Sequence, residues 1–403
     1  MKHDLFVNPA AVPSLEAEAQ TGPIPIDFHR LMPGYAETPL LDCPRIAARL
    51  GVARVLVKDE SSRLGLPSFK MLGASWAVAS AIQREWLDGT VRILSPEAIR
   101  AAIPQPESRR LVAATDGNHG RGVARMAKLL GLACTIFVPH GTARSRIADI
   151  QSEGATVNVV DGSYDDAIVI AAREADDRTL VISDTSWDGY FETPRSVGAG
   201  YSTLFREIDD ACVRAEVGQP TVVVLQAGVG SFAAAGLTHY RGDARQTAVP
   251  RTVIVEPLTA NCLMASARAG ELTEVPGPHN STMAGLNCGV GSRLAWPVVQ
   301  AAADVFVAID DAGANAAIRL LADSGVVAGE SGAAGLGGLL AIIDSGDPEE
   351  RTRVGLDPEA IVLIVNTEWA TDPVNYEKVV GRTPDSIEAS RDRVRRGAGV
   401  VAL

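Results

Sequence analysis

Short, nearly unbroken runs of apolar and β-branched residues alternate with helical patterns along most of the chain, and this alternation restricts the fold more than any other feature. A strand that is apolar throughout must be covered on both faces, which with intervening helices means a parallel sheet joined by crossover helices. The clearest block runs from Arg110 to Asp184. A strand at Leu111–Thr115 leads into a helix from Gly117 that stops at Gly131, a glycine suited to a left-handed C-terminal cap. The strands Cys134–Pro139, Thr156–Val160 and Leu180–Ser183 follow, separated by helices over Thr142–Glu153 and Tyr164–Asp176.

A second α/β block carries strands at Thr221–Gln226, Thr252–Glu256, Val305–Ile309 and Ala360–Val365, with helices at Ser231–Tyr240, Ala312–Asp323 and Ala333–Ile343. The segment Arg54–Asp59 reads as an edge strand of this second sheet. Ser95–Arg109 is polar and contains proline, and reads as an excursion from the first block. The fold class expected is therefore α/β, with two open twisted domains and a ligand cleft between them.

Composition narrows the function. A net charge of −12 over 403 residues, with no large Lys/Arg cluster beyond the short Arg393–Arg396 run, argues against a nucleic-acid partner. No apolar stretch reaches eighteen residues without Gly, Gln or charge, and the first thirteen residues lack the core of a signal peptide, so no membrane association is expected. The cysteines Cys43, Cys134, Cys212, Cys262 and Cys288 are odd in number and never in C-x-x-C spacing. They read as reduced thiols of a cytoplasmic protein, with no metal site.

Five segments carry chemistry. Ser68-Phe69-Lys70 opens a helix over Met71–Trp86, where a cation opposes the helix dipole; a lysine whose charge is lost to an imine suits that position better. Taken alone it also reads as an exposed lysine after a turn. Thr115-Asp116-Gly117-Asn118-His119-Gly120 joins a strand to a helix start, where free N–H groups suit a carboxylate or phosphate. Asp116 reads equally as an N-cap, and His119 as a packed core histidine. Gln226-Ala-Gly228-Val229-Gly230-Ser231-Phe232 is a second strand-to-helix junction, with the makings of a phosphate nest. Gly228-x-Gly230-x-x-Ala233 also fits a dinucleotide fingerprint with Glu256 as the ribose acid, and this segment by itself admits both readings. Asn366-Thr367-Glu-Trp369 places a hydroxyl at the carboxyl end of a buried strand. Asp184-Thr-Ser-Trp-Asp-Gly-Tyr190 follows another strand end.

In order and spacing these segments resemble the tryptophan-synthase-β-like enzymes of pyridoxal 5'-phosphate (fold type II), and within them the diaminopropionate ammonia-lyases. The resemblance spans about Phe28 to Gly381 and includes Phe28-His-Arg, Pro33-Gly-Tyr, Thr38-Pro-Leu, Val57-Lys-Asp-Glu, Ala284-Gly-Leu-Asn-Cys-Gly289, Glu330-Ser-Gly-Ala333 and Thr371-Asp-Pro373. Aspartate before Gly-Asn-His-Gly discriminates best, since related serine and threonine dehydratases usually carry a small or hydroxyl residue there. The resemblance implies a homodimeric ammonia-lyase that takes a small amino acid, 2,3-diaminopropionate, to pyruvate and ammonia. It implies a smaller domain over 61–190 with the Schiff-base Lys70 and a substrate-carboxylate loop, and a larger one of 1–60 plus 191–403 with the phosphate loop. It assigns Lys70, Asp116 and Asp184 to catalysis. Phe69, Asn118, Gly228, Val229, Gly230, Ser231, Phe232 and Thr367 join Lys70 around the cofactor, and Thr115, Asp116, Gly117 and His119 around the substrate. Two residues depart from the family pattern: Pro67, and Trp369 where glycine is usual. Three rival readings stand beside this one: a serine/threonine dehydratase-like lyase, a nicotinamide oxidoreductase using the Gly228 loop, and a non-catalytic amino-acid sensor.

Overall fold

The computed structural model describes residues 1–15, 23–115, 117–242 and 249–403. Its strands are β1 (His3–Val7), β2 (Leu40–Asp42), β3 (Arg54–Asp59), β4 (Arg110–Ala114), β5 (Ala133–Pro139), β6 (Thr156–Val160), β7 (Thr179–Val181), β8 (Val222–Gln226), β9 (Arg251–Pro257), β10 (Val305–Ile309), β11 (Ile361–Asn366) and β12 (Val401–Ala402). They make two sheets, ordered β6-β5-β4-β7 and β1-β10-β9-β8-β11-β3-β2-β12. The packing divides the chain into two units. One comprises Met1–Glu18, Glu37–Ser62 and Leu204–Leu403, and the other Ala19–Ala36 and Arg63–Thr203.

In the smaller unit every strand pair is parallel. Its organising element is the helix Lys70–Trp86, whose residues from Met71 to Gln83 are all buried. Small residues let neighbours approach it closely. A Cβ on Gly73 would lie 2.5 Å from the Tyr201 ring, one on Gly200 2.5 Å from the Leu72 carbonyl, and one on Gly122 2.9 Å from Ala74. The Phe28-His29 pair also belongs here. Phe28 packs on Trp76, and the His29 ring nitrogens lie 2.7 Å from Thr203 Oγ1 and 3.0 Å from the Leu72 carbonyl. These contacts explain why 23–36 and 191–203, which the sequence reading gave to the larger domain, pack with the smaller unit.

In the larger unit β3, β11, β8, β9 and β10 run parallel, while β1, β2 and β12 are antiparallel additions at the two rims. Arg54–Asp59 does join this sheet, but not at its edge. β3 pairs with β11 on one side and with β2 on the other. The three-residue β2 and two-residue β12 are too short to show a strand pattern in the sequence. The helix Glu330–Ser345 is buried from Glu330 to Ile342 and lies directly on the sheet. A Cβ on Gly338 would meet Val255 at 2.7 Å, and one on Gly335 would stand 3.2 Å from Gln226 Oε1. The apolar core around β8, β9 and this helix fixes the strand end from which Gln226 projects.

Candidate active site

In the smaller unit, Lys70 is the first residue of its helix, whose N-terminus has no side-chain cap. Ser68 steadies the entry, its Oγ 3.2 Å from the Lys70 amide. Lys70 Nζ donates to Asp184 Oδ2 at 2.7 Å, and the Tyr164 hydroxyl donates to the other oxygen at 3.2 Å. Burial alone would raise the Asp184 pKa. The Lys70 charge, the His119 ring and the two hydrogen bonds outweigh it, and the carboxyl is held well below the usual range. Asp184 itself is set by the loop that follows β7. The Tyr190 hydroxyl donates to Val181 O at 2.5 Å and accepts from the Ser183 amide at 3.1 Å, while the Trp187 and Tyr190 rings stack 4.0 Å apart. His119 Nε2, 2.8 Å from Ile182 O, ties the helix Asn118–Leu130 to the same strand end.

Thr115 has a local task. Its Oγ1 accepts from the Gly117 amide at 2.9 Å and the Gly120 amide at 3.1 Å. Those two N–H groups are thereby committed, so the Gly117 amide assigned to substrate binding is already paired within the loop. Gly120 must lack a side chain, since a Cβ would stand 2.3 Å from Thr115 Cγ2. Phe69 packs on Tyr201 with ring centroids 4.7 Å apart. Asn118 opens its helix. Asp116 lies outside the described residues. Tyr164 is a new side chain on Asp184; it opens a helix twenty residues earlier, and nothing in its local sequence marks it out.

In the larger unit, Gly228–Gly230 links β8 to the helix Ser231–Gly242. Gly230 has φ of 97°, a left-handed value that turns successive amides toward the helix start. Gly228 is packed against protein, where a Cβ would meet Cys288 Sγ at 2.9 Å and Gly285 O at 3.1 Å. Glu256 does not serve as a ribose acid. Its carboxylate oxygens accept the Leu263 and Met264 amides at 2.8 and 2.9 Å, capping the helix Cys262–Ala269. Burial pushes its pKa up to about 8 despite those bonds. The dinucleotide reading thus loses its second half.

Beside the glycine loop, Gln226 Nε2 lies 2.9–3.2 Å from the carbonyls of Ser331, Gly332 and Val365, and 3.1 Å from Thr367 Oγ1. Three carbonyls identify the amide nitrogen, whose two protons are shared among these four acceptors, and a nitrogen that only donates takes no proton from Thr367. The Thr367 hydroxyl proton is then left to be given to another acceptor. Trp369 is half-buried against the core, and its indole N–H donates to Glu388 at 3.2 Å.

The smaller unit carries a lysine at a helix start paired with a buried carboxylate, and the larger unit a strand-to-helix glycine turn and a strand-end hydroxyl beside a glutamine; each is a donor of the kind used by a pyridoxal-dependent class of enzyme. The family model described as pyridoxal-phosphate dependent enzyme matches residues 31–364, and the chain belongs to that family. More particularly, it is 37% identical over 369 residues to the diaminopropionate ammonia-lyase of Salmonella typhimurium, covering 88% of this chain and 90% of that protein. Its fold matches the crystal structure of Escherichia coli diaminopropionate ammonia lyase in complex with D-serine, with a TM-score of 0.83 and 33% identity over 94% of this chain and 97% of that one. The same Escherichia coli enzyme in complex with an aminoacrylate-PLP azomethine reaction intermediate gives 0.81 at 33% identity, with the same coverage of both chains. The donor set fits pyridoxal phosphate: an amine for its carbonyl carbon, amides for its phosphate, and a hydroxyl with a proton to give to its ring nitrogen. The family and the Glu256 cap together set aside the nicotinamide alternative.

Among the described residues no cluster of His, Cys, Asp and Glu suits a metal, and no helix is long and apolar enough to cross a membrane.

Proposed function

We propose that this chain is a pyridoxal-phosphate-dependent ammonia-lyase that eliminates the β-amino group of 2,3-diaminopropionate as ammonia, after which water hydrolyses the resulting imine to pyruvate and a second ammonia. The observation that carries the reading is the Lys70–Asp184 contact of 2.7 Å, supported by the relationship to diaminopropionate ammonia-lyases. The bound cofactor supplies an electron sink for the negative charge that develops at the substrate α-carbon. The Lys70 amine would hold the cofactor and would take the substrate α-proton at Nζ. Asp184, held as a carboxylate, would exchange the proton of the Lys70 amine and set a negative charge beside the substrate β-ammonium, which departs as neutral ammonia with the electron pair of the broken C–N bond and needs no added proton. Tyr164 holds the second oxygen of Asp184 so that one oxygen stays directed at Lys70. Asn118 would meet the cofactor's phenolic oxygen, with Phe69 beside it. The amides from Gly228, Val229 and Gly230 through Ser231 and Phe232 would hold its phosphate, and Thr367 would donate to its ring nitrogen. Asp116 supplies a second negative charge for a dicationic substrate, while Thr115, Gly117 and His119 shape the loop that meets the substrate carboxylate.

A homodimer in the cytoplasm is the assembly and location we favour. The five cysteines are all free thiols, as a reducing compartment would keep them. The test is direct. Borohydride reduction and peptide mapping should place the pyridoxyl group on Lys70. Steady-state rates should favour diaminopropionate over serine and threonine, and Asp116→Asn should lose that preference while remaining yellow. A pyridoxyl group on another lysine, or equal rates on serine, would sink the assignment.

A further inference from the structure

The hydroxyl of Thr367 is held by more than Gln226, and the additional hold comes from the far C-terminus. The helix Pro384–Gly397 is capped by Thr383, whose side chain accepts from the Ser386 amide, and is anchored by fully buried Ile387. From its last turn Arg395 reaches Asp59 at the end of β3, Nη2 to Oδ2 3.1 Å, with side-chain exposures of 14% and 8%. Arg395 Nε donates to Gly325 O at 3.2 Å. A Cβ on Gly325 would lie 2.9 Å from Arg395 Cγ, so the helix seats on bare backbone there. The other oxygen of Asp59 accepts from Asn366 Nδ2 at 2.9 Å, and that same amide donates to Val327 O at 2.9 Å. Asn366 is the residue before Thr367. On the other side, Trp369 is joined through its indole N–H to Glu388, seven positions earlier on the same helix. One helix therefore grips the chain on both sides of a single threonine.

We propose that the helix Pro384–Gly397 is a positioning element for Thr367, acting through Arg395–Asp59–Asn366 and through Glu388–Trp369. The proposal rests on Thr367 meeting the cofactor ring, as inferred above. A carboxylate as buried as Asp59 keeps its geometry only while its charge is matched. Loss of the guanidinium lets Asp59 and then Asn366 relax, and the next peptide turns with them. Trp369, the departure from the family pattern, is on this reading the second handle of the same grip.

The experiment uses the full-length protein with Arg395→Met, Arg395→Lys and Glu388→Ala. Cofactor affinity is measured by titrating apo-protein with pyridoxal phosphate, and the absorption maximum of bound cofactor is followed from pH 6 to 9. Arg395→Met should raise the cofactor Kd by about tenfold, the size expected when one charge-assisted hydrogen bond is lost. It should also move the absorption maximum, with Arg395→Lys recovering part of both. Glu388→Ala changes an exposed bond and should fold normally, so it tests the second handle independently and should move the absorption maximum alone. Variants with lowered melting temperature but wild-type Kd and spectrum would reduce the helix to a structural prop and overturn the proposal. Should Arg395→Met not fold, a wild-type Kd and spectrum in both Arg395→Lys and Glu388→Ala would do the same. A wild type that binds no pyridoxal phosphate would instead defeat the functional reading itself.

Discussion

Asp184 carries the strongest consequences at the scale of single residues. Its carboxyl is held low, so in the cofactor-free protein it contributes stability that is fully present above the ordinary carboxylate pKa of about 4 and is lost as pH falls below it. Thermal melts of the apo-protein should therefore separate wild type from Asp184→Asn most widely at pH 7, and the gap should close at acid pH. In the loaded enzyme Asp184→Asn should lower kcat/KM by roughly 10²–10⁴-fold, the range of a general acid–base group. Tyr164→Phe removes a donor that favours the carboxylate. It should cut kcat by about tenfold with little change in KM and move the acidic limb of the pH profile upward. A lysine at a helix start and an acid at a strand end each stood out in the sequence, but neither segment by itself showed that Lys70 and Asp184 meet. Tyr164 did not stand out, because the opening residue of an amphipathic helix reads as packing, and its contact with Asp184 exists only once β7 and that helix are both in place. Glu256 shows the opposite error: a correctly spaced acid after a glycine loop whose oxygens are spent on a helix start seven residues away.

Among elements, the helix Lys70–Trp86 depends on small neighbours to hold its first turn. Gly200 meets Leu72 through backbone, so a methyl there has nowhere to go. Gly200→Ala should cost about 1–3 kcal/mol through overpacking, a loss that the roughly 1 kcal/mol gain in helix propensity only partly offsets. Urea titration should show the lowered midpoint, and an unchanged or raised midpoint would mean that the helix Glu192–Gly200 can slide. The central strands were readable from the sequence because burial on both faces leaves a run of Val, Ile and Leu. β2 and β12 were not, because three and two residues are too few to set a period, and neither was β1, whose five residues lie at a rim of the sheet and are none of them fully buried. The close helix contacts at Gly73 and Gly122 were equally invisible, since a glycine inside a helix pattern says nothing about which backbone comes near.

For the molecule as a whole, the buried cluster of Lys58, Glu207 and Thr38 is the most exacting requirement. Lys58 Nζ lies 2.7 Å from Glu207 Oε2 and 2.8 Å from Thr38 O, with both charged side chains 1% exposed. All three residues sit in the larger unit, within a few positions of the points at 36, 62 and 203 where the chain leaves or re-enters it. Lys58→Met removes a cation 2.7 Å from a buried carboxylate and should cost roughly 3–5 kcal/mol, readable as a lowered denaturation midpoint. The pairing of β3 with β11 has a consequence in time as well as in space. Asp59 and Asn366 face each other across 307 positions of sequence. At ordinary rates of synthesis β3 leaves the ribosome roughly 15–60 s before its long partner exists. The parallel sheet β4–β7 is complete once Val181 has been made, so on a nascent chain the inserted unit can form while its host is still half a sheet. The larger sheet is therefore completed last, after the smaller one has already formed.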